Sequence, residues 1–203
     1  RNGSGKTTLA RLVAGLIYPT SGQVWIGEKQ TFQYKVTELA RQVVYLFQNP
    51  DDQLCKRSVW DEVAFGPRNL GLAPELVRQR TEYAVERLGL YDQKLSNPFD
   101  LSPARRWQVA IASILAMDTP IVVLDEFTYL ISGNKAIPSI VQKVWDEKLK
   151  NSRVMIVLCG SYIGMMETEV LGYQAPLYGR RTASTLLKPL DLPSSALFFS
   201  KYK

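Results

Sequence analysis

Gly3-Ser4-Gly5-Lys6-Thr7 puts two glycines, a lysine and a hydroxyl into five residues, the closing part of the pattern G-x-x-x-x-G-K-[ST]. Glycines let backbone N–H groups wrap phosphate oxygens, and a helix starting at the loop adds the positive end of its dipole. Lys6 can neutralise β/γ-phosphate charge, and the Thr7 hydroxyl can ligate Mg2+. Far downstream, Ile121-Val122-Val123-Leu124-Asp125-Glu126 delivers two adjacent carboxylates at the end of a four-residue apolar run. Asp125 can hold the Mg2+ shell there, and Glu126 can polarise a water. A glycine turn before an ordinary helix is the plainer reading of the first motif, and a core strand ending in solvated acids that of the second. Their occurrence in one chain favours the phosphate reading of both.

These groups must be carried by a loop, a helix and a strand, and the sequence provides all three. Residues 8–16 read as a helix with Leu9, Leu12, Val13 and Leu16 on one face, ended by Pro19 and Gly22. Residues 23–27 alternate as a short strand, residues 42–46 form a buried β-branched strand, and a loop over 47–52 follows. Residues 59–100 look helical, with Val77, Thr81, Ala84, Val85 and Leu88 at helical spacing, Pro74 in a first turn and Gly89 past a helix end. Further helices are expected over 105–117 and 135–150, and buried strands over 121–125 and 154–159. Residues 192–203 read as the start of a last helix. Strand, helix and strand at this spacing imply a parallel sheet.

The whole chain has 203 residues, of which 46% are hydrophobic and 22% charged, which suits one globular unit. Its net charge of +6 is dispersed and does not by itself indicate nucleic acid or a membrane surface. With no histidine, and with Cys55 and Cys159 far apart, a zinc site, His-based catalysis and a disulfide framework are all disfavoured, and a reducing, cytoplasmic setting is expected. The longest apolar runs are of strand length, and no signal peptide is visible.

Residues 1–125 resemble the ATPase subunits of ATP-binding-cassette (ABC) transporters, specifically those of energy-coupling-factor importers. The likeness rests on residues 2–9, 15–22, 47–54, 61–67 and 101–125. It implies a P-loop α/β fold with a mostly parallel sheet and an inserted helical lobe, from which the first central strand, expected ahead of Arg1, is missing. The expected parts are a phosphate-loop core over 1–58, the lobe over 59–118, and the acidic strand with the remaining core over 119–203. ATP and Mg2+ are the implied ligands. Asn2, Gly3, Ser4, Gly5, Lys6, Thr7, Thr8 and Gln48 would surround the nucleotide, Thr7, Gln48 and Asp125 the metal, and Glu126, Gln48 and Lys6 would carry the hydrolysis. The resemblance also implies a second ATPase subunit bound head to tail and a membrane transport subunit, at the inner face of the cell membrane.

That family's signature, Leu-Ser-Gly-Gly-Gln, stands here as Leu101-Ser102-Pro103-Ala104-Arg105. Ser102, Pro103 and Ala104 would then face the partner's nucleotide, although Pro103 offers no N–H; Ser102 can equally serve as a helix N-cap. After Glu126 the pattern changes. Phe127-Thr128 replaces Pro-Thr, and the family's switch histidine cannot exist in this chain. Residues 121–203 instead resemble AAA+-like ATPases of the STAND type, so the chain reads as a hybrid. In that likeness Ser161 takes a sensor position, or is a plain loop serine; Arg180 and Arg181 form a phosphate-sensing pair, or a solvated basic turn. Two further functional readings follow: a STAND-like switch acting on nucleic acid or protein, and a truncated hybrid without function.

Overall fold

The computed structural model describes residues 4–188 together with 191 and 193. Helix α1 (Lys6–Val13) leads through a turn into a hairpin of β1 (Trp25–Ile26) and β2 (Lys29–Gln30), then the short α2 (Val36–Leu39) and strand β3 (Val43–Leu46). Three helices follow, α3 (Val59–Asn69), α4 (Pro74–Arg87) and α5 (Pro103–Met117), which pack on one another. Strand β4 (Ile121–Leu124), helices α6 (Phe127–Gly133) and α7 (Ile137–Val144), strand β5 (Met155–Leu158) and the single turn α8 (Ile163–Met165) complete the order.

The strands β3, β4 and β5 form a parallel sheet in that order. Successive side chains on a strand point to opposite faces, and the packing here divides accordingly. Val43, Tyr45, Ile121, Val123 and Val157 lie in one apolar cluster with Ala10 and Ala14 of α1. Val44, Leu46, Val122, Leu124, Ile156 and Leu158 belong to a larger cluster with α3, α5 and α6. Helices thus cover both faces, as a parallel sheet requires.

The structure departs from the sequence expectations at several elements. Helix α1 begins two residues earlier than expected, because Gly5 at φ +81° is its N-cap. Its buried face is shifted: Ala10 and Ala14 meet the sheet with Val13 packed beside them, whereas Leu9 and Leu16 are 48% and 50% exposed. Small residues let the helix approach the strands closely, and spacing alone does not report that. The helix expected over 135–150 starts at Ile137 with Pro138 in its first turn, then continues beyond Val144 as a π-helical turn, Trp145–Leu149. Helix α6 carries no clear periodic signal and forms because Phe127, Leu130 and Ile131 are buried beneath α5. In contrast, the helical spacing in α4 is accurate, with Val77, Thr81, Ala84, Val85 and Leu88 all buried. The helix expected over 192–203 lies outside the described residues apart from 193.

Candidate functional site at the sheet edge

The acid pair emerges at the C-terminal end of the central strand β4, where open parallel sheets place their ligands. Alternation carries Asp125 to the same face as Val123, which is the face covered by α1. Asp125 is 1% exposed and bonded once through each oxygen: Tyr45 donates its phenolic O–H to Oδ2 at 2.5 Å, and the Glu126 amide donates to Oδ1 at 3.0 Å.

Glu126 adopts a left-handed backbone, φ 49° and ψ 48°, and caps α6. Such a conformation is uncommon for a residue with a Cβ. Here it is held by neighbours. The Phe127 amide donates to the Cys159 carbonyl at 2.7 Å, and the Ser161 amide and hydroxyl donate to Glu126 Oε2 at 3.2 and 2.7 Å. Glu126 is 7% exposed, so this carboxylate is positioned rather than solvated.

The phosphate loop enters from α1. Its Gly5 occupies a left-handed conformation that favours glycine, and a Cβ there would meet nothing within 4 Å, so the loop opens onto free space. Lys6 donates from Nζ to Ser4 Oγ at 3.0 Å, Thr7 is half-buried in the first turn, and Thr8 is exposed. Asn2 and Gly3 lie outside the described residues. Helix α1, which follows the loop, packs on the sheet face that carries Asp125, and Cys159 follows β5 beside the acid pair. The Cys159 thiol is pushed up to about 11, chiefly by burial and then by the charges of Asp125 and Glu126, while Lys6 pulls in the opposite direction.

Gln48 is exposed just beyond β3. The turn that follows it is tied to the helical lobe. Arg106 Nη1 of α5 holds both Asp51 oxygens at 3.0 and 2.8 Å, and Gln53 Nε2 donates to Ser113 Oγ at 2.8 Å. At the head of α5, Ser102 is the N-cap, its hydroxyl accepting from the Arg105 amide at 3.4 Å, with Pro103 in the first turn and Ala104 half-buried beside it. These residues lie apart from the acid pair in sequence and in element, at the start of the lobe helix rather than at the sheet edge.

Arg180 corrects the phosphate-sensing reading. It binds Asp146 bidentately at 2.9 and 2.7 Å and donates to the carbonyls of Pro176 and Tyr178, fastening the segment after α8 onto the π-helical turn. Arg180 is a structural clamp, and Arg181 is exposed beside it. Tyr45 was missed by sequence reasoning; the available signal was a tyrosine inside an otherwise apolar buried strand, whose hydroxyl must find a partner. Burial, followed by its bond to Asp125, raises that phenol well above the ordinary range, so it is a permanent donor.

The family model described as ABC transporter matches residues 1–129. The energy-coupling factor transporter ATP-binding protein EcfA of Methanosphaera stadtmanae is 43% identical over 157 residues, covering 76% of this chain and 56% of its own length. EcfA1 of Caldanaerobacter subterraneus subsp. tengcongensis is 41% identical over 150 residues, 72% of this chain and 54% of its own. Among solved structures, cbiO1 from Clostridium perfringens, part of the ABC transporter complex cbiONQ, superposes with a TM-score of 0.66 at 30% identity over 80% of this chain and 65% of that one. A dimeric ATP-binding cassette bound to ADP and Pi shares the fold, with a TM-score of 0.66 at 21% identity. The chain spans about half the length of the curated relatives it matches. The second likeness, of residues 121–203 to STAND-type ATPases, finds no support here. The alignments of 157 and 150 residues run well past residue 129, into the segment read as foreign, and the superposition on cbiO1 takes in 80% of the chain. The hybrid reading is therefore withdrawn.

Proposed function

From the premise that this chain belongs to the ABC transporter family, we propose that it binds and hydrolyses ATP as the nucleotide-binding subunit of an energy-coupling-factor-type importer. The observation that carries this reading is the acid pair Asp125 and Glu126 held in place at the C-terminal end of β4, with Asp125 on the sheet face covered by α1, the helix that follows the glycine-lysine loop. The loop residues from Asn2 to Thr8 would cradle the phosphates with backbone N–H groups, and Lys6 would neutralise the transferred phosphoryl charge.

The donor set suits Mg2+ delivered with the nucleotide. Among the described residues no cluster of three or more His, Cys, Asp or Glu can hold a metal by itself, and Mg2+ is commonly held by one or two protein oxygens together with substrate phosphates. Thr7, Asp125 and Gln48 are the residues to hold it. When bound, the ion would offset charge building up on the β/γ oxygens. Glu126, fixed through Oε2 by Ser161, keeps its second oxygen for orienting the attacking water.

The Asp51–Arg106 and Gln53–Ser113 bonds supply a route by which Gln48 would move with α5. Ser102 and Ala104 would face a second ATPase subunit bound head to tail, with one amide fewer than usual because of Pro103. Membrane transport would belong to a separate subunit, in keeping with the likeness to ATP-binding proteins of energy-coupling factor transporters; no helix among the described residues is long and apolar enough to cross a bilayer. The protein would sit on the cytoplasmic side of that subunit.

The test uses the intact protein. Lys6→Ala should abolish nucleotide binding, and Glu126→Gln should keep binding and lose turnover. Wild-type ATP affinity in the first variant overturns the phosphate site, and undiminished hydrolysis in the second overturns the role of Glu126.

A further inference from the structure

Core packing explains the ring of Tyr45 but not its hydroxyl. The side chain is 8% exposed, stands edge-on to Phe47 with centroids 5.1 Å apart, and lies in the cluster formed by α1 and the sheet. Phenylalanine or leucine would fill such a position without carrying a polar atom into it. Desolvating that atom costs stability unless it finds a partner, and the partner is Asp125.

The contact is a product of sheet register. Because β3 and β4 pair in parallel with Tyr45 opposite Val123, Asp125 lies two residues further along the same face. A phenol is long enough to cross that diagonal, and a shorter hydroxyl is not. The ring cannot swing away because Phe47 and the α1 cluster enclose it. On its other side the ring packs with Ala10 and Ala14 in the cluster that joins α1 to the sheet. Tyr45 therefore spans the gap between the helix carrying Lys6 and Thr7 and the strand carrying Asp125.

Each oxygen of a carboxylate offers two lone-pair directions. Tyr45 occupies one on Oδ2 and the Glu126 amide one on Oδ1, which leaves one on each oxygen and fixes the rotation of the group. We infer that Tyr45 is a positioning residue for the metal shell: it holds the Asp125 carboxylate in the one orientation that can receive the nucleotide-bound cation. The inference rests on the ATPase reading above and deepens it, because it assigns to a core tyrosine a part in metal recognition.

The experiment is nucleotide binding rather than turnover. A fluorescent ATP analogue is titrated onto intact wild-type protein and Tyr45→Phe, first with EDTA and then over a series of Mg2+ concentrations. Metal-free affinity should agree within about two-fold, while the Mg2+ concentration giving half of the metal-dependent gain should rise about ten-fold, in keeping with one lost bond to a charged group. In an Asp125→Asn background the same tyrosine change should shift nothing further. A merely structural tyrosine would lower the melting temperature in both backgrounds and leave the Mg2+ midpoint in place, and that result overturns the inference. Should Tyr45→Phe lack a cooperative melt, Tyr45→Leu replaces it, because it too fills the apolar position without offering a donor to Asp125; an unchanged midpoint there is equally fatal. If wild-type protein binds no nucleotide with or without Mg2+, the ATPase reading falls and this inference with it. If wild type binds and only the midpoint fails to move, the inference falls alone.

Discussion

Replacing Ser161 by alanine removes the hydroxyl that lies 2.7 Å from Glu126 Oε2 and leaves the amide at 3.2 Å as the remaining donor. A hydrogen bond to a charged group contributes about 1.5–3 kcal/mol, and the partly exposed position of Ser161 argues for the lower end because water can take over part of the bond. About 1.4 kcal/mol corresponds to roughly ten-fold in rate. If the bond keeps Glu126 aimed at the attacking water, the loss should fall on kcat. Nucleotide affinity should hardly change, since among the described residues the amide and hydroxyl of Ser161 donate to the Glu126 carboxylate. The assay is steady-state phosphate release across ATP concentrations, with affinity measured independently, on wild type, Ser161→Ala, Ser161→Thr and Glu126→Gln. Threonine keeps the hydroxyl and should restore most of the rate. A kcat for Ser161→Ala within two-fold of wild type, where Glu126→Gln is inactive, would refute the reasoning; so would a loss expressed wholly as weaker binding.

Gly15 has φ +66°, and a Cβ there would lie 2.1 Å from Leu39 Cδ2. Gly15→Ala should cost about 2–5 kcal/mol in urea unfolding, combining a left-handed penalty of roughly 1–2 kcal/mol with overpacking of about 1–3 kcal/mol. Gly22→Ala, with φ +81° and open space, should cost only the backbone part; equal losses would show that the contact with Leu39 is irrelevant. In a Cys55→Ala background, Cys159 should alkylate slowly at pH 8 and accelerate as pH climbs toward 11, instead of levelling near 9. The linked effect on stability has a definite sign: the folded state holds the proton more tightly, so stability is full below about pH 9 and declines as pH rises to about 11. A labelling profile that levels near 9 would mean that neither burial nor the acid pair raises the thiol. Arg180→Gln should expose the segment around Pro176 and Tyr178 to limited proteolysis at low salt, with no change in nucleotide binding; weakened binding would return Arg180 to the phosphate site.

Much of this protein was decided by local sequence. The glycine-lysine loop leading into α1, the apolar run ending in Asp125 and Glu126, and the helical spacing in α4 each follow from steric permission or side-chain period, which act within a few residues. The contacts that make a site out of these pieces depend on register. Tyr45 reaches Asp125 across a strand pair set by the whole sheet, and Ser161 reaches Glu126 only after β5 has docked beside β4. The face of α1 that turns inward was also a tertiary outcome, because Ala10 and Ala14 permit a close approach that the larger Leu9 and Leu16 do not. Arg180 looked free in sequence and became a clamp once the helix bearing Asp146 lay beneath it. A side chain's period records which way it points from its own element, whereas its partner is chosen by the packing of elements distant in the chain.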